Sequence, residues 1–291
     1  MSFLCVGEIE VMKDSDLGEY RPTTYWEDLL RQRFDLQSVG YPYLSAAFNM
    51  YLYRAMAGSV NRGLGRLGLC RASLSKSSIL DVGSGTGFWI DFWLTKGGRK
   101  IFGIDLTAQS VSILSKKYPT LKFEQRDIAD PMDRSASDAF DLISAMSILH
   151  HIPSQQGWKQ ALLNLGSVLK PGGSLLIMDP ILRYQWWGKP FSRTSPGRPR
   201  TIVEHHSVLK ESGVRVLAVI PTVTILANPV DTRWKVEFQM LGQWWNLFCR
   251  LASKEGPMRT SGWLIYLLDR FLCQLNYMPS SKLLLCRKDF C

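Results

Sequence analysis

Long apolar runs are missing from this 291-residue chain. The nearest, Trp263 to Leu268, stops at Asp269 and Arg270, far short of the roughly 18 residues a membrane span needs. No transmembrane segment is therefore expected. Cysteine is sparse and scattered, at Cys5, Cys70, Cys249, Cys273, Cys286 and Cys291. No C-x-x-C and no zinc-like spacing occurs, which argues against a metal centre or a disulfide framework. A reducing, cytoplasmic compartment is the expectation. Acids at Glu8, Glu10, Asp14 and Asp16 set the first residues apart from a signal peptide. Histidine occurs only four times, in two adjacent pairs, so general-base candidates are few.

The composition suits a folded protein, with 46% apolar and 21% charged residues. The formal net charge of +10 is unevenly placed. Residues 1–75 balance at eight basic and eight acidic, whereas residues 181–291 hold sixteen basic against seven acidic. A surplus there favours an anionic or membrane-associated acceptor, with a plain solvated basic surface as the alternative.

Pattern emerges around Ile79-Leu80-Asp81-Val82-Gly83-Ser84-Gly85-Thr86-Gly87. Aliphatic residues read as a short buried strand, glycine then falls at every second position, and the apolar run Phe88 to Leu94 reads as a helix. Strand, glycine turn and helix make a nucleotide-cofactor loop. A phosphate loop would carry lysine after the last glycine, and none follows. A dinucleotide fingerprint would place glycine where Phe88 stands. From Ser78 onward strands and helices alternate, which implies a mainly parallel sheet covered on both faces. Strands are predicted at 79–82, 100–104, 121–124, 140–145, 174–179 and 214–220, with a last one at 282–287. A helix is expected from near Tyr25, capped by Thr23-Thr24, and another over 43–57. Asn61 to Ser78 reads as helix ends and a linker into the core, and Lys170-Pro171-Gly172-Gly173 as a helix stop and turn.

Several landmarks agree in order. The glycine motif ends the first strand and Asp105 ends the second. Gln125-Arg126-Asp127-Ile128 follows the third, and Phe140-Asp141-Leu142-Ile143 opens the fourth. Ser147-Ile-Leu-His-His-Ile-Pro153 and Leu169-Lys-Pro-Gly-Gly-Ser174 come next. This series resembles the class I, Rossmann-like methyltransferases that use S-adenosylmethionine (SAM), in particular those acting on small molecules. The resemblance covers about residues 76–220 plus the final strand. It implies an α/β fold with a seven-stranded mixed sheet in order 3-2-1-4-5-7-6, the last strand antiparallel. It also divides the chain into an N-terminal helical cap (1–75), a SAM-binding core (76–220 plus 281–291) and a helical lid inserted at 221–280.

Under that resemblance Gly83, Ser84, Gly85, Thr86 and Gly87 carry the methionine part of SAM. Asp81 orients the turn, Asp105 with Leu106 grips the ribose, Asp127 and Ile128 take the adenine, and Ala145 and Met146 floor the pocket. The product would be S-adenosylhomocysteine. A base is useful when the acceptor is a hydroxyl; His151, beside the expected methyl position, and His205 and His206, before strand six, are the candidates, because histidine titrates near neutrality.

Two stretches remain for the acceptor. Residues 181–200 interleave Arg183, Trp186, Trp187 and Arg200 with no acid, a composition for an anionic or planar molecule. Residues 221–281 carry two aromatic, amphipathic helical patterns, including Trp234 and Phe238, which with Tyr25 and Trp26 would close an apolar pocket. The same stripes would also serve a dimer or a peripheral membrane contact. The expected reaction is methylation of a small anionic, aromatic or lipophilic metabolite, at oxygen, by a monomer or homodimer. Its rivals are an RNA or protein methyltransferase and a non-catalytic SAM-binding partner. No nucleic-acid module is recognisable.

Overall fold

Alternation along each strand builds the core. A computed structural model describes residues 20–131, 139–183 and 197–290. In β1 (Ser78–Val82), Ile79 is buried on one side of the sheet and Leu80 and Val82 on the other, the two-residue period of a strand with both faces covered. It pairs in parallel with β2 (Lys100–Asp105) and with β4 (Phe140–Met146), Ile79 lying beside Ile101 and Leu142. β3 (Lys122–Gln125) flanks β2, and β5 (Leu169–Asp179) flanks β4. After the two-residue pair β6 (Ile181–Leu182) and β7 (Arg200–Thr201), the long β8 (Val214–Val223) and β9 (Ser281–Lys288) complete the sheet. Its order is β3-β2-β1-β4-β5-β9-β8. β9 is antiparallel to both neighbours, so β8 and β9 are the sixth and seventh strands expected and the topology agrees with the resemblance.

One face is covered by α3 (Ala46–Arg66), α5 (Phe88–Thr95), α9 (Lys235–Ala252) and α10 (Glu255–Gln274). The other is covered by α7 (Gln155–Val168) and α8 (Ile202–Glu211). Trp93 of α5 and Trp158 of α7 are fully buried; truncating either to alanine would cost about 3–5 kcal/mol. Three short or peripheral helices complete the chain: α1 (Pro22–Gln32), α2 (Leu36–Val39) and α4 (Arg71–Leu74), with α6 (Ala108–Lys117) linking β2 to β3.

Local expectations needed four changes. Helix α1 begins at Pro22, whose missing N–H suits a first helical position, and no side chain caps it. Helix α3 runs past its expected end at Ala57 to Arg66, because packing outweighs glycine's poor propensity. At Gly63 an added Cβ would stand 2.8 Å from Leu285 Cδ2, so the helix lies against β9 only with glycine there. Lys170 to Gly173 is a bulge within β5 rather than a turn before it: Leu169 already pairs with Phe140 before the register shifts to Ser174 opposite Leu142. The hairpin α9–α10 does form from the aromatic stretch, but it packs on α3 and not across the carboxyl ends of the strands.

Candidate active site

The chain leaves β1 through three glycines in the left-handed region, Gly83 at φ +70°, Gly85 at +51° and Gly87 at +86°. Gly83 is obliged twice over: any Cβ would be strained at that φ and would sit 2.1 Å from Ile148 Cδ1. Ile148 is brought there by Ser147, a non-glycine residue at φ +61° whose N–H donates to the Met178 carbonyl at 2.6 Å. Two strand ends thus interlock, and such stored backbone strain clusters at functional sites.

Asp105, at the end of β2, ties the turn in place. One carboxylate oxygen accepts the Gly85 N–H at 2.7 Å; the other accepts the Thr107 N–H at 2.9 Å and its hydroxyl at 2.7 Å. The Ser110 hydroxyl donates to the Gly85 carbonyl at 2.7 Å, fastening α6 to the same loop. Burial raises the Asp105 pKa, against the hydrogen bonds from Thr107 and Gly85. These bonds hold the carboxylate against the turn while it still lines the cleft.

An open cleft of about 1050 Å³, mouth included, runs along this turn. Its walls include Gly83, Ser84, Gly85, Thr86, Asp105, Leu106, Asp127, Ile128, Met146 and His151, with Trp26 of α1 on the far side. Asp127 keeps one oxygen on the Ala129 N–H at 2.8 Å. Trp26 meets the His151 ring edge-on, at 4.8 Å and 75°. Several wall residues were not anticipated: Pro22, Leu30, Val39 and Tyr53 from the N-terminal helices, and Arg126, Ser147 and Ile148 from the strand ends. Arg126, Ser147 and Ile148 stood inside the quoted motifs; the four from the N-terminal helices had no local signal, because they arrive by packing.

Other candidates lie elsewhere. Asp81 is buried behind the turn, accepting from the Ser144 hydroxyl at 2.7 Å, which itself accepts the Trp93 indole N–H at 3.0 Å. Its second oxygen has no partner, and burial pushes its pKa up to about 7. Ala145 is fully buried beneath the cleft, and Gly87 opens α5 without lining it. His205 is buried against Trp158, its Nδ1 at 2.9 Å from the Thr201 carbonyl, and burial lowers its pKa. His206 is exposed on α8. Neither lines the cleft, because α8 turns His205 into the core and its neighbour outward.

The acceptor candidates are corrected most. Arg200 is buried and donates to the carbonyls of Leu149, Ile152, Ser154 and Arg198, at 3.3, 2.8, 3.3 and 3.0 Å. It is the brace of the loop that carries His150 and His151, not a substrate contact. Arg183 bonds Asp231 at 2.7 Å, an acid it shares with buried Lys282. Trp234 is 59% exposed at the start of α9, and neither it nor Phe238 reaches the cleft. Tyr25 packs edge-on against Trp26 outside the walls. Trp186 and Trp187 lie outside the described residues.

A second pair was missed altogether. His150 Nδ1 stands 2.7 Å from Asp179 at the end of β5, directly behind His151, the two imidazoles 3.8 Å apart. Burial, assisted by the Arg200 charge, lowers the His150 pKa, while burial raises that of Asp179. His150 stood in the quoted His-His motif, but nothing in the sequence joined it to the acid at the end of β5.

Residues 79–173 match the methyltransferase domain family. They form a methyltransferase domain. The whole sheet, completed by β8 and β9 beyond this stretch, has the Rossmann-like strand order expected of class I. Over 105 residues the chain is 33% identical to a demethylmenaquinone methyltransferase of Chlorobaculum parvum, and over 107 residues 30% identical to a ubiquinone biosynthesis O-methyltransferase of Paracidovorax citrulli. These stretches are 36% and 35% of this chain but only 41% and 43% of the relatives. The chain thus spans less than half the length of either. Among solved structures, the 1,6-didemethyltoxoflavin N1-methyltransferase of Burkholderia thailandensis shares the fold at a TM-score of 0.50 and 14% identity, over 81% of this chain and 78% of that one.

The methyltransferase domain's cleft fits SAM. Asp105, which would meet a ribose, and Asp127 beside an apolar wall of Ile104, Leu106 and Ile128, which would suit an adenine, line one cleft with the glycine turn.

Proposed function

We propose that this protein transfers the methyl group of SAM to the hydroxyl oxygen of a small organic acceptor. SAM supplies a methyl already activated on a sulfonium, so the protein has to position the acceptor, exclude water and take up its proton. Gly83 to Thr86 would bear the methionine part, Asp105 one ribose hydroxyl, and Asp127 the adenine amino group. His151 would accept the acceptor's hydroxyl proton, with Trp26 holding the acceptor against it and Arg200 bracing the loop beneath. The observation that carries the reading is a single cleft lined by the glycine turn, Asp105, Asp127 and His151 together. The name of one relative, a ubiquinone biosynthesis O-methyltransferase, supports oxygen as the atom methylated.

The basic C-terminal third speaks for the rival RNA reading, but much of that charge is engaged internally: Arg183 and Lys282 on Asp231, Arg200 on carbonyls, Lys288 on the Leu169 carbonyl at 2.7 Å. Methyl transfer from labelled SAM to a catechol series, set against transfer to bulk RNA, tests the choice. His151→Asn should lower turnover about 100-fold while calorimetry finds SAM binding unchanged. Unchanged turnover would remove His151 as the base, and transfer to RNA alone would overturn the acceptor class.

A further inference from the structure

The hairpin of α9 and α10 is apolar on both sides. Its inner side is spent on the core: Trp245, Phe248 and Cys249 of α9 and Met258 of α10 are buried beside Phe48 and Leu52 of α3. Its outer side is apolar too. Val236, Met240 and Leu247 recur along α9 and Leu264, Leu267 and Phe271 along α10, each between 52% and 67% exposed. Of the seventeen large apolar side chains exposed among the described residues, thirteen fall within 234–277, so the outward face is one feature and not scattered exposure. Outward apolar side chains gathered on one hairpin mark a contact surface.

Charge identifies that cover. Every exposed charged side chain described between 233 and 277 is basic: Arg233, Arg250, Lys254 and Arg259. Three of these flank the turn that joins the two helices. The acids of the segment are withdrawn, with Asp269 buried against Arg270, Glu255 paired with Arg259 at 2.8 Å, and Glu237 folded back on the Arg233 and Trp234 N–H groups. A twofold dimer through this face would set the patch against its own copy, basic rim against basic rim. An anionic surface has no such conflict. No helix among the described residues is long and apolar enough to cross a membrane. Trp234, Trp244 and Trp263, each at least 40% exposed, are side chains suited to the headgroup level.

We propose that the outer face of the α9–α10 hairpin docks on the surface of an anionic lipid bilayer. The apolar stripes enter the headgroup boundary, and the basic side chains meet lipid phosphates.

The test is flotation of the full chain with vesicles of phosphatidylcholine alone or mixed equally with phosphatidylglycerol. Binding should be at least about tenfold stronger to the anionic vesicles and weaken as salt is raised. Leu247→Glu/Leu267→Glu, both on the exposed face, should reduce vesicle binding about tenfold or more while melting temperature and SAM binding hold. Arg250→Glu/Lys254→Glu should erase the preference for anionic lipid and keep the fold. Absence of binding to either vesicle overturns the proposal, as does binding that survives the double glutamate variant. Sedimentation showing a dimer that the glutamate variant dissolves would assign the face to a second copy instead. Because SAM binding is measured on the same samples, failure here is distinct from failure of the methyl-transfer reading.

Discussion

Two helical additions flank the methyltransferase domain, built from the same kinds of residue and put to opposite use. Helices α1 and α2 turn Trp26, Leu30 and Val39 into the cleft. The hairpin α9–α10, richer in tryptophan, leaves its outer stripes in solvent and keeps clear of the cleft. Aromatic content and helical spacing are alike, so neither says where a face ends up. Position relative to the sheet decides it: α1 packs beside α6, near the carboxyl ends of β1 and β2, while the hairpin lies on α3 beside β8.

Substitutions can sharpen or break this contrast. The cleft side should be fragile. Arg200→Ala strands four carbonyls beneath the histidine loop and should cost about 3–5 kcal/mol, read by urea unfolding, with turnover falling in step. Loss of less than about 1 kcal/mol would mean the brace is slack. Asp81 should make stability pH-dependent. Its folded pKa of about 7 lies above the ordinary carboxylate range, so the stabilising protonated form is lost as pH rises. This group's share is a loss of up to about 4 kcal/mol between pH 4 and 7, and Asp81→Asn should remove that share from the wild-type slope. A slope unchanged in the variant would refute the assignment. Trp26→Ala should lower kcat/KM by about tenfold through KM, leaving the SAM dissociation constant unchanged. The hairpin side should be indifferent, with Leu247→Glu shifting stability by no more than about 0.5 kcal/mol and turnover not at all. A large loss there would show that the hairpin serves the cleft and would dissolve the contrast.

Much of the fold was legible because its signals are local. The glycine spacing after Asp81, the aliphatic strands and the acids ending them follow from backbone geometry that each short segment dictates for itself. Boundaries failed where packing overrode propensity, as in α3 through Gly63 and in β5 through Lys170 to Gly173. At the candidate site the sequence motif pointed to Asp105, Leu106, Asp127, Ile128 and Met146, and all of them line the cleft. Arg183 and Arg200 were misplaced for a general reason: a basic residue in a loop looks the same whether it meets a ligand or a buried carbonyl. The His150–Asp179 pair joins residues 29 apart in sequence, on the loop after β4 and the end of β5.

The sequence by itself determined the strands and the glycine turn, since short-range sterics and side-chain alternation leave those segments few conformations; the strand order came only from the family resemblance. Only the tertiary structure decided which histidine reaches the cleft, which arginine is structural and which aromatic face stays wet. Those outcomes depend on contacts between residues far apart in the chain, where desolvation and steric fit are set by the partner and not by the residue.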